Sequence, residues 1–357
     1  MMAVKGATGP TTAAKSPKGL AAAVKGRMKR SRNEVVGATG ASLSTNEEKL
    51  VAFAVQGVVT HPISSHHGFE VTREGLLFAL PGVGGIVYSH FVGDPCIGLL
   101  GDHIEPGASV ANFDKNHGDD AEKSAFAVYA QLGNTAVVAS GDAKGCIGTV
   151  IGKHGGVEHV IIHFPAAVLD RLEIGDKVRI RAHGMGLAIE GTKGLEMRNT
   201  DPRLLARMPV EKNGGRLRVG VAAIVPAVLM GSGIGADNTH RGDYDIQLSD
   251  PGVVAARGLD RLRFGDLVAI EDTYHGYGRT YRPGAVSIGV VVHSDSHIAG
   301  HGPGVTTLMT SLDGDIEPVV QDGANIADLL GLDRASPGQH HDPQLLARHE
   351  EVAGKWG

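Results

Sequence analysis

The chain has 357 residues, 52 of them glycine, with aromatics at only 4% and a net charge of −5. That length supports a large core and one to three domains, and the glycine content favours tight turns over long helices. The absence of a Gly-X-Y period excludes collagen, and no apolar run is long enough to read as a bilayer-spanning helix or a secretory signal. Two cysteines, Cys96 and Cys146, build no disulfide framework, so the expected setting is a reducing cytoplasm.

Residues 1–45 read as a disordered basic arm. Lys5, Lys15, Lys18, Lys25, Arg27, Lys29, Arg30 and Arg32 lie within it, and no acid precedes Glu34. The remainder is therefore more acidic than the net charge suggests, which makes nucleic-acid binding unexpected except through the arm. A first β module is expected over 46–210, a second over 211–320 and a helical tail over 321–357. The fold class is mainly β (α+β), with two related barrel-like modules and short plug helices.

In chain order, Leu50 to Val59 reads as a strand, followed by a polar loop carrying His61, His66 and His67. Short strand-like pieces run from Gly75 to Tyr88, and another strand is expected near Cys96 to Leu100. Strands are also expected at Ala136–Val138, Gly148–Ile151 and Val157–Phe164, the last stopped by Pro165. The segment Val168-Leu169-Asp170-Arg171-Leu172-Glu173-Ile174-Gly175-Asp176 leads into a strand, and Gly258-Leu259-Asp260-Arg261-Leu262-Arg263-Phe264-Gly265-Asp266 repeats it. The unit is strand, short helix with two leucines plugging a sheet end, Gly-Asp turn, strand. Pro226 breaks the apolar run Leu217 to Met230, and Val286 to Val292 is a buried strand. Helical pieces are expected at Ile326–Leu330 and Pro343–Val352.

The chemistry-bearing residues sit in glycine-rich loops at the ends of apolar runs. Asp102-His103-Ile104-Glu105 places an imidazole and a carboxylate on one face if extended, a pair suited to a divalent metal or to general acid/base work. His293-Ser294-Asp295-Ser296-His297 has ligand-type residues at two-residue spacing, and His301 lies just beyond, among glycines and Pro303. Gly152-Lys153-His154-Gly155-Gly156 lacks Walker spacing; it reads either as a hairpin turn or as a cradle for an anion. Gly231 to Gly235 lacks a βαβ context, so no nucleotide cofactor is expected. Asp243 and Asp245 flank Tyr244 and share a face if extended, able to hold a metal or a substrate ammonium. Cys96 is either a nucleophile partnered by histidine or a small core residue.

Gly101–Gly107, Leu132–Val138, Gly141–Phe164 and Gly300–Gly304 together resemble a family of bacterial and archaeal proteins known as a domain of unknown function. That family has a thermophilic structural-genomics representative, and the resemblance spans about residues 50–320. It implies a largely β fold with barrel-like modules and no settled activity. There is also a loose similarity to acetamidase/formamidase-type enzymes, in glycine, histidine and β content alone.

These readings combine into an expected metal-assisted hydrolase of a small amide, lactam or similar polar substrate. His103, Glu105 and His301 are the expected catalytic residues. The metal set is His103, Glu105, His293, Asp295 and His301, with zinc, iron or manganese as the ion. Lys153, His154 and Asp245 are expected to bind substrate. The alternative is a non-catalytic metabolite-binding β protein with a Gly/His-rich pocket. A small-molecule partner and a homo-oligomer are expected, and no membrane. The discriminator is whether the histidine loops converge.

Overall fold

The computed structural model describes residues 34–36, 42–65, 67–112, 120–233 and 238–333. The basic stretch 1–33 and the predicted helix at 343–352 lie outside the described residues. Six antiparallel strands close on themselves: β1 (Phe53–Val59), β2 (Gly107–Ala111), β3 (Thr135–Val138), β4 (Ile147–His154), β5 (His159–His163) and β6 (Lys177–Ala182). Their ring order is β5-β4-β3-β6-β1-β2, and pairing of Val160 with Val110 joins β2 back to β5. Closure removes unpaired edges from the ring. Val59, Val110, Ala136, Val150, Val160, Ile162, Val178 and Ile180 fill the barrel core. Each fully buried valine or isoleucine contributes about 1.5–3 kcal/mol over the exposed side chain.

The second module is a six-stranded sheet. It contains β7 (Leu195–Met197), β8 (Ala223–Val225), β9 (Tyr244–Asp245), β10 (Leu267–Tyr274), β11 (Thr280–Val291) and β12 (Gly304–Ser311). The order is β7-β12-β11-β10-β8, with β9 also paired to β12. A separate three-stranded sheet, Val210–Asn213, Arg216–Val221 and Ile316–Val320, completes this half. Pro226 falls between β8 and a short 3-10 helix, Ala227–Leu229. Helix Ile326–Leu330 stands where the periodicity placed it.

The repeated unit is built the same way twice. Leu169 and Leu172 enter the barrel core, and Leu259 and Leu262 enter the core beside β10. Gly175 (φ 92°) and Gly265 (φ 86°) take the left-handed turn, a region open to glycine without a Cβ penalty. Asp176 accepts from the Glu173 N–H at 3.0 Å, and Asp266 from the Arg263 N–H at 2.8 Å. Gly175 donates to the Val59 carbonyl and Gly265 to the Val291 carbonyl. Each turn therefore pins the end of a partner strand, β1 in one module and β11 in the other.

Two expectations need correction. The fold reaches into the stretch assigned to the arm: Ser42–Ser44 is a strand whose Leu43 is fully buried. No strand forms at Cys96–Leu100, where a Gly93, Gly98 and Pro95 context bends the chain and only Pro95 bridges Arg263.

Candidate metal centre

Four chain segments bring their polar ends together. The Asp102–Glu105 loop runs into β2, β4 ends in His154, and Asp243 immediately precedes β9, which ends in Asp245. The loop from β11 to β12 carries His293 and His301. On β9 the side chains alternate: Tyr244 stacks on His275 at 4.1 Å between ring centroids, while the two aspartates face the histidines. The second sheet thus presents carboxylates to two imidazoles from the barrel side, His103 and His154, and two from its own β11–β12 loop, His293 and His301.

Two groups result, each of two histidines and one aspartate with ligand atoms within 4.8 Å of one another: His103, Asp245 and His301, and His154, Asp243 and His293. Asp245 Oδ2 lies 2.8 Å from His301 Nδ1 and 3.8 Å from His103 Nε2. His293 Nε2 lies 2.8 Å from Asp243 Oδ2. The groups adjoin, with the His154 and His293 rings stacked at 4.3 Å and the His103 and His293 rings 4.9 Å apart. Mixed imidazole and carboxylate donors suit zinc, iron or manganese.

The far side of each ring is fixed. His103 Nδ1 meets Asp102 at 2.6 Å, His154 Nδ1 meets Glu105 at 2.5 Å, and His293 Nδ1 donates to the Ser294 carbonyl at 2.9 Å. Each of these three rings consequently turns Nε2 toward the cluster, as metal-binding histidines do when an acceptor holds the other nitrogen. Asp102 is itself held by Ser296 Oγ and the His297 N–H. Glu105 also accepts from Ser109 and His159.

The electrostatics follow from this packing. Burial alone would raise the Glu105 carboxyl, but His159 and His154 hold it far below the usual carboxylate range. Burial would also raise Asp245, yet His103, His293 and His301 hold it well below. The opposite balance applies to His103 and His293. Burial disfavours their charged forms, and the carboxylates beside them, Asp102 and Asp245 for His103, Asp243 and Asp245 for His293, push both upward. His103 occupies φ 54°, a left-handed conformation that costs a non-glycine residue about 1–2 kcal/mol. Such strain is held in place by the surrounding contacts, here by Ser294 Oγ on the Ile104 N–H.

Of the residues singled out from the sequence, His103, His154, Asp245, His293 and His301 converge. Glu105 does not face the cluster as a metal ligand; its oxygens are taken by His154, His159 and Ser109, so it orients His154. The extended reading fails there because His103 has positive φ. Asp295 is apart, accepting from the Gly98 N–H at 3.1 Å, and the His297 ring packs at a tilt against Phe78. β11 stops at Val291, and the loop after it abolishes the two-residue alternation. Lys153 does not reach the site either. It is fully buried, and its ammonium donates to Asn199 Oδ1 and the His240 carbonyl. Burial pushes it well below the usual lysine range. On β4 it points opposite to His154.

The Gly155 N–H does cradle a carboxylate, that of Asp243, at 2.8 Å. Cys96 is a core residue: its thiol donates to the Leu262 carbonyl, and burial, Asp266 and Asp295 push it well above the ordinary range. His61 is exposed and His67 packs on Phe69; His66 lies outside the described residues. Asp243 belongs to the ligand set with His154 and His293; the sequence offered it, with Asp245, as a pair able to hold a metal or a substrate ammonium. The strand leading to His293 also resembles an earlier one, Gly57-Val58-Val59-Thr60-His61 against Gly289-Val290-Val291-Val292-His293.

Residues 69–206 match the domain described as Domain of unknown function (DUF4438), N-terminal, and residues 207–330 match its C-terminal counterpart. The chain belongs to the DUF4438 family. A solved structure, the crystal structure of TM1086, is similar to this DUF4438 protein at 42% identity and a TM-score of 0.75, covering 80% of this chain and 98% of that one. No curated protein matches the chain, and none of these matches carries the likeness to acetamidase/formamidase-type enzymes. Among the described residues no helix is long and apolar enough to cross a membrane.

Proposed function

We propose that the chain is a metal-dependent hydrolase acting on the C–N bond of a small, uncharged amide or lactam. The observation that carries this reading is the convergence of His103, Asp245 and His301, with His103 in the wall of an open cleft and His301 partly exposed. Three protein donors with one side open is the pattern of a catalytic rather than a structural ion. When bound, the cation would lower the pKa of a water and polarise the substrate carbonyl.

The chain's own residues divide the remaining work. Asp102 fixes the His103 ring and keeps Nε2 pointed at the cation. The cleft, about 420 Å³, has His103 and His154 in its wall together with Ile63, Phe69, Phe78, Leu80, Pro81 and Val83. These apolar walls would receive the substrate's hydrocarbon and exclude water around the reacting bond. No lysine or arginine lines the cleft among the described residues, which favours a substrate without an anionic end. Lys153, pinned elsewhere, does not serve one.

The test is to strip the full chain with chelator, reload it with zinc or manganese, and screen amides and lactams. Hydrolysis should vanish on stripping and return on loading. Asp102→Asn should weaken metal affinity about 10–100-fold, the usual cost of losing an outer carboxylate. Turnover indifferent to the chelator would overturn the metal reading. Ligand retention without turnover across the whole panel would favour a metabolite-binding protein instead.

A further inference from the structure

The second histidine–aspartate group is harder to explain by a single catalytic ion. His154, Asp243 and His293 are all buried, whereas His301 of the first group is partly exposed; the cleft wall carries one histidine of each group, His103 and His154. His293 Nε2 and Asp243 Oδ2 are each buried with no hydrogen-bond partner, although they are 2.8 Å apart. With Nδ1 donating to the Ser294 carbonyl, His293 aims Nε2 at that carboxylate oxygen. A cation held between this buried imidazole nitrogen and carboxylate oxygen takes the place of the imidazole's own proton.

The surroundings keep that place clear. A Cβ added to Gly304 would come 1.9 Å from Asp243 Oδ2 and 2.2 Å from His293 Nε2. The Gly155 N–H takes Asp243 Oδ1 and leaves Oδ2 for the group. Glu105 takes His154 Nδ1 and leaves Nε2. Each donor is therefore presented by a contact on its far side, as at the first group.

Asp245 connects the two. Its Oδ2 is the oxygen near His301 and His103, while its Oδ1 lies 3.5 Å from His293 Nε2. One carboxylate thus offers an oxygen to each group. Charge balance agrees. Asp102, Glu105, Asp243 and Asp245 bring four negative charges, and none of them forms an ion pair with lysine or arginine among the described residues. Their ionic partners are histidines, and two divalent cations would take over that neutralisation as the imidazoles bind in neutral form.

We infer that the centre is binuclear: a second divalent cation binds between His154, Asp243 and His293, and the Asp245 carboxylate bridges it to the ion at His103 and His301. The inference rests on the hydrolase reading for the first ion but concerns the second. In two-metal sites the ions lie about 3.5–4 Å apart and share the attacking and leaving oxygens. The ion at the fully buried group would then act as the fixed partner, and the ion at the partly exposed His301 as the one exchanging with solvent.

The experiment loads the stripped full chain with manganese, measures metal per chain by elemental analysis and records the electron paramagnetic resonance spectrum. The expected result is two equivalents with a broadened, exchange-coupled signal. Asp243→Asn should reduce this to one equivalent with the sharp hyperfine pattern of an isolated ion. Gly304→Ala should do the same by filling the space, and because it risks the fold, His154→Gln provides an independent variant. One equivalent in the unaltered chain, uncoupled and insensitive to Asp243→Asn, overturns the inference. The two readings fail separately. A coupled pair without amide turnover keeps the binuclear centre and removes the hydrolase. One uncoupled ion with chelator-sensitive turnover keeps the hydrolase and removes the pair.

Discussion

Val59 and Val291 end their strands in the same hydrogen-bond frame, each pinned by a Gly-Asp turn, and each is followed two residues later by a histidine. Their outcomes differ. His61 emerges exposed on the outside of the barrel module, whereas His293 is fully buried against Asp243 and Asp245. The shared turn is a scaffold that delivers a residue to a strand end. What surrounds that end decides whether the residue acquires partners. Position in a repeat is thus evidence about geometry, and burial and partners are evidence about chemistry.

Truncating both histidines should have the largest effect. His293→Ala should abolish binding at the buried group and lower turnover by about 100-fold or more, in keeping with the loss of a group central to catalysis. His61→Ala should leave metal content and turnover unchanged. Equal effects on metal content would show that the repeat, not the environment, determines the role.

The turns themselves come next. A Cβ on Gly265 would meet Val92 at 2.6 Å and Ile326 at 2.9 Å, whereas one on Gly175 meets nothing within 4 Å. Both positions have positive φ. Gly175→Ala should therefore cost only the conformational strain, about 1–2 kcal/mol. Gly265→Ala adds overpacking and should cost about 3 kcal/mol or more, seen as a lower denaturant midpoint.

A smaller contrast concerns protons. His275, beneath the second sheet, is pushed down to about 3, and His163 on the barrel strand β5 to about 4, in both cases by burial. An unfolded imidazole titrates near 6.5, so between those values the unfolded chain binds more protons. Stability from each group is complete above about pH 6.5 and declines as pH falls toward the folded value, by about 1.4 kcal/mol per pH unit for each ring. Urea titrations from pH 7 to 4.5 should show this slope, and His275→Gln should flatten it by one ring's share. No change in slope would mean that His275 keeps its ordinary pKa.

Much of the architecture was legible because it is local. The Gly-Asp units, the Pro165 and Pro226 breaks and the alternation around Tyr244 are set within a few residues of chain. The site was legible only as a roster. His103 and His301 could be named as ligands, but Glu105 and Asp295 stood in equally suitable patterns and were drawn off by His154 and the Gly98 N–H. Two-residue spacing places side chains on one face only while the chain remains extended. At Asp295 the strand has already ended, and at Glu105 the backbone of His103 has turned. Lys153 was misleading for a related reason: its glycine-rich setting suggested exposure, but it precedes the turn and still points inward from β4. Asp243 needed its long-range partner, His293, before its meaning differed from that of any acid beside a tyrosine.

The two-residue strand β9 carries a consequence for assembly of the protein. Because its side chains alternate, a slip of one position against β12 would send Tyr244 toward the histidines and both aspartates into the hydrocarbon beneath the sheet. No gradually weakened centre lies between those registers. Metal uptake by a refolding chain would therefore act as a gauge of correct pairing. A population refolded with partial metal content would be a mixture of rightly and wrongly registered molecules, separable from one another, in place of a uniform population of poorer binders.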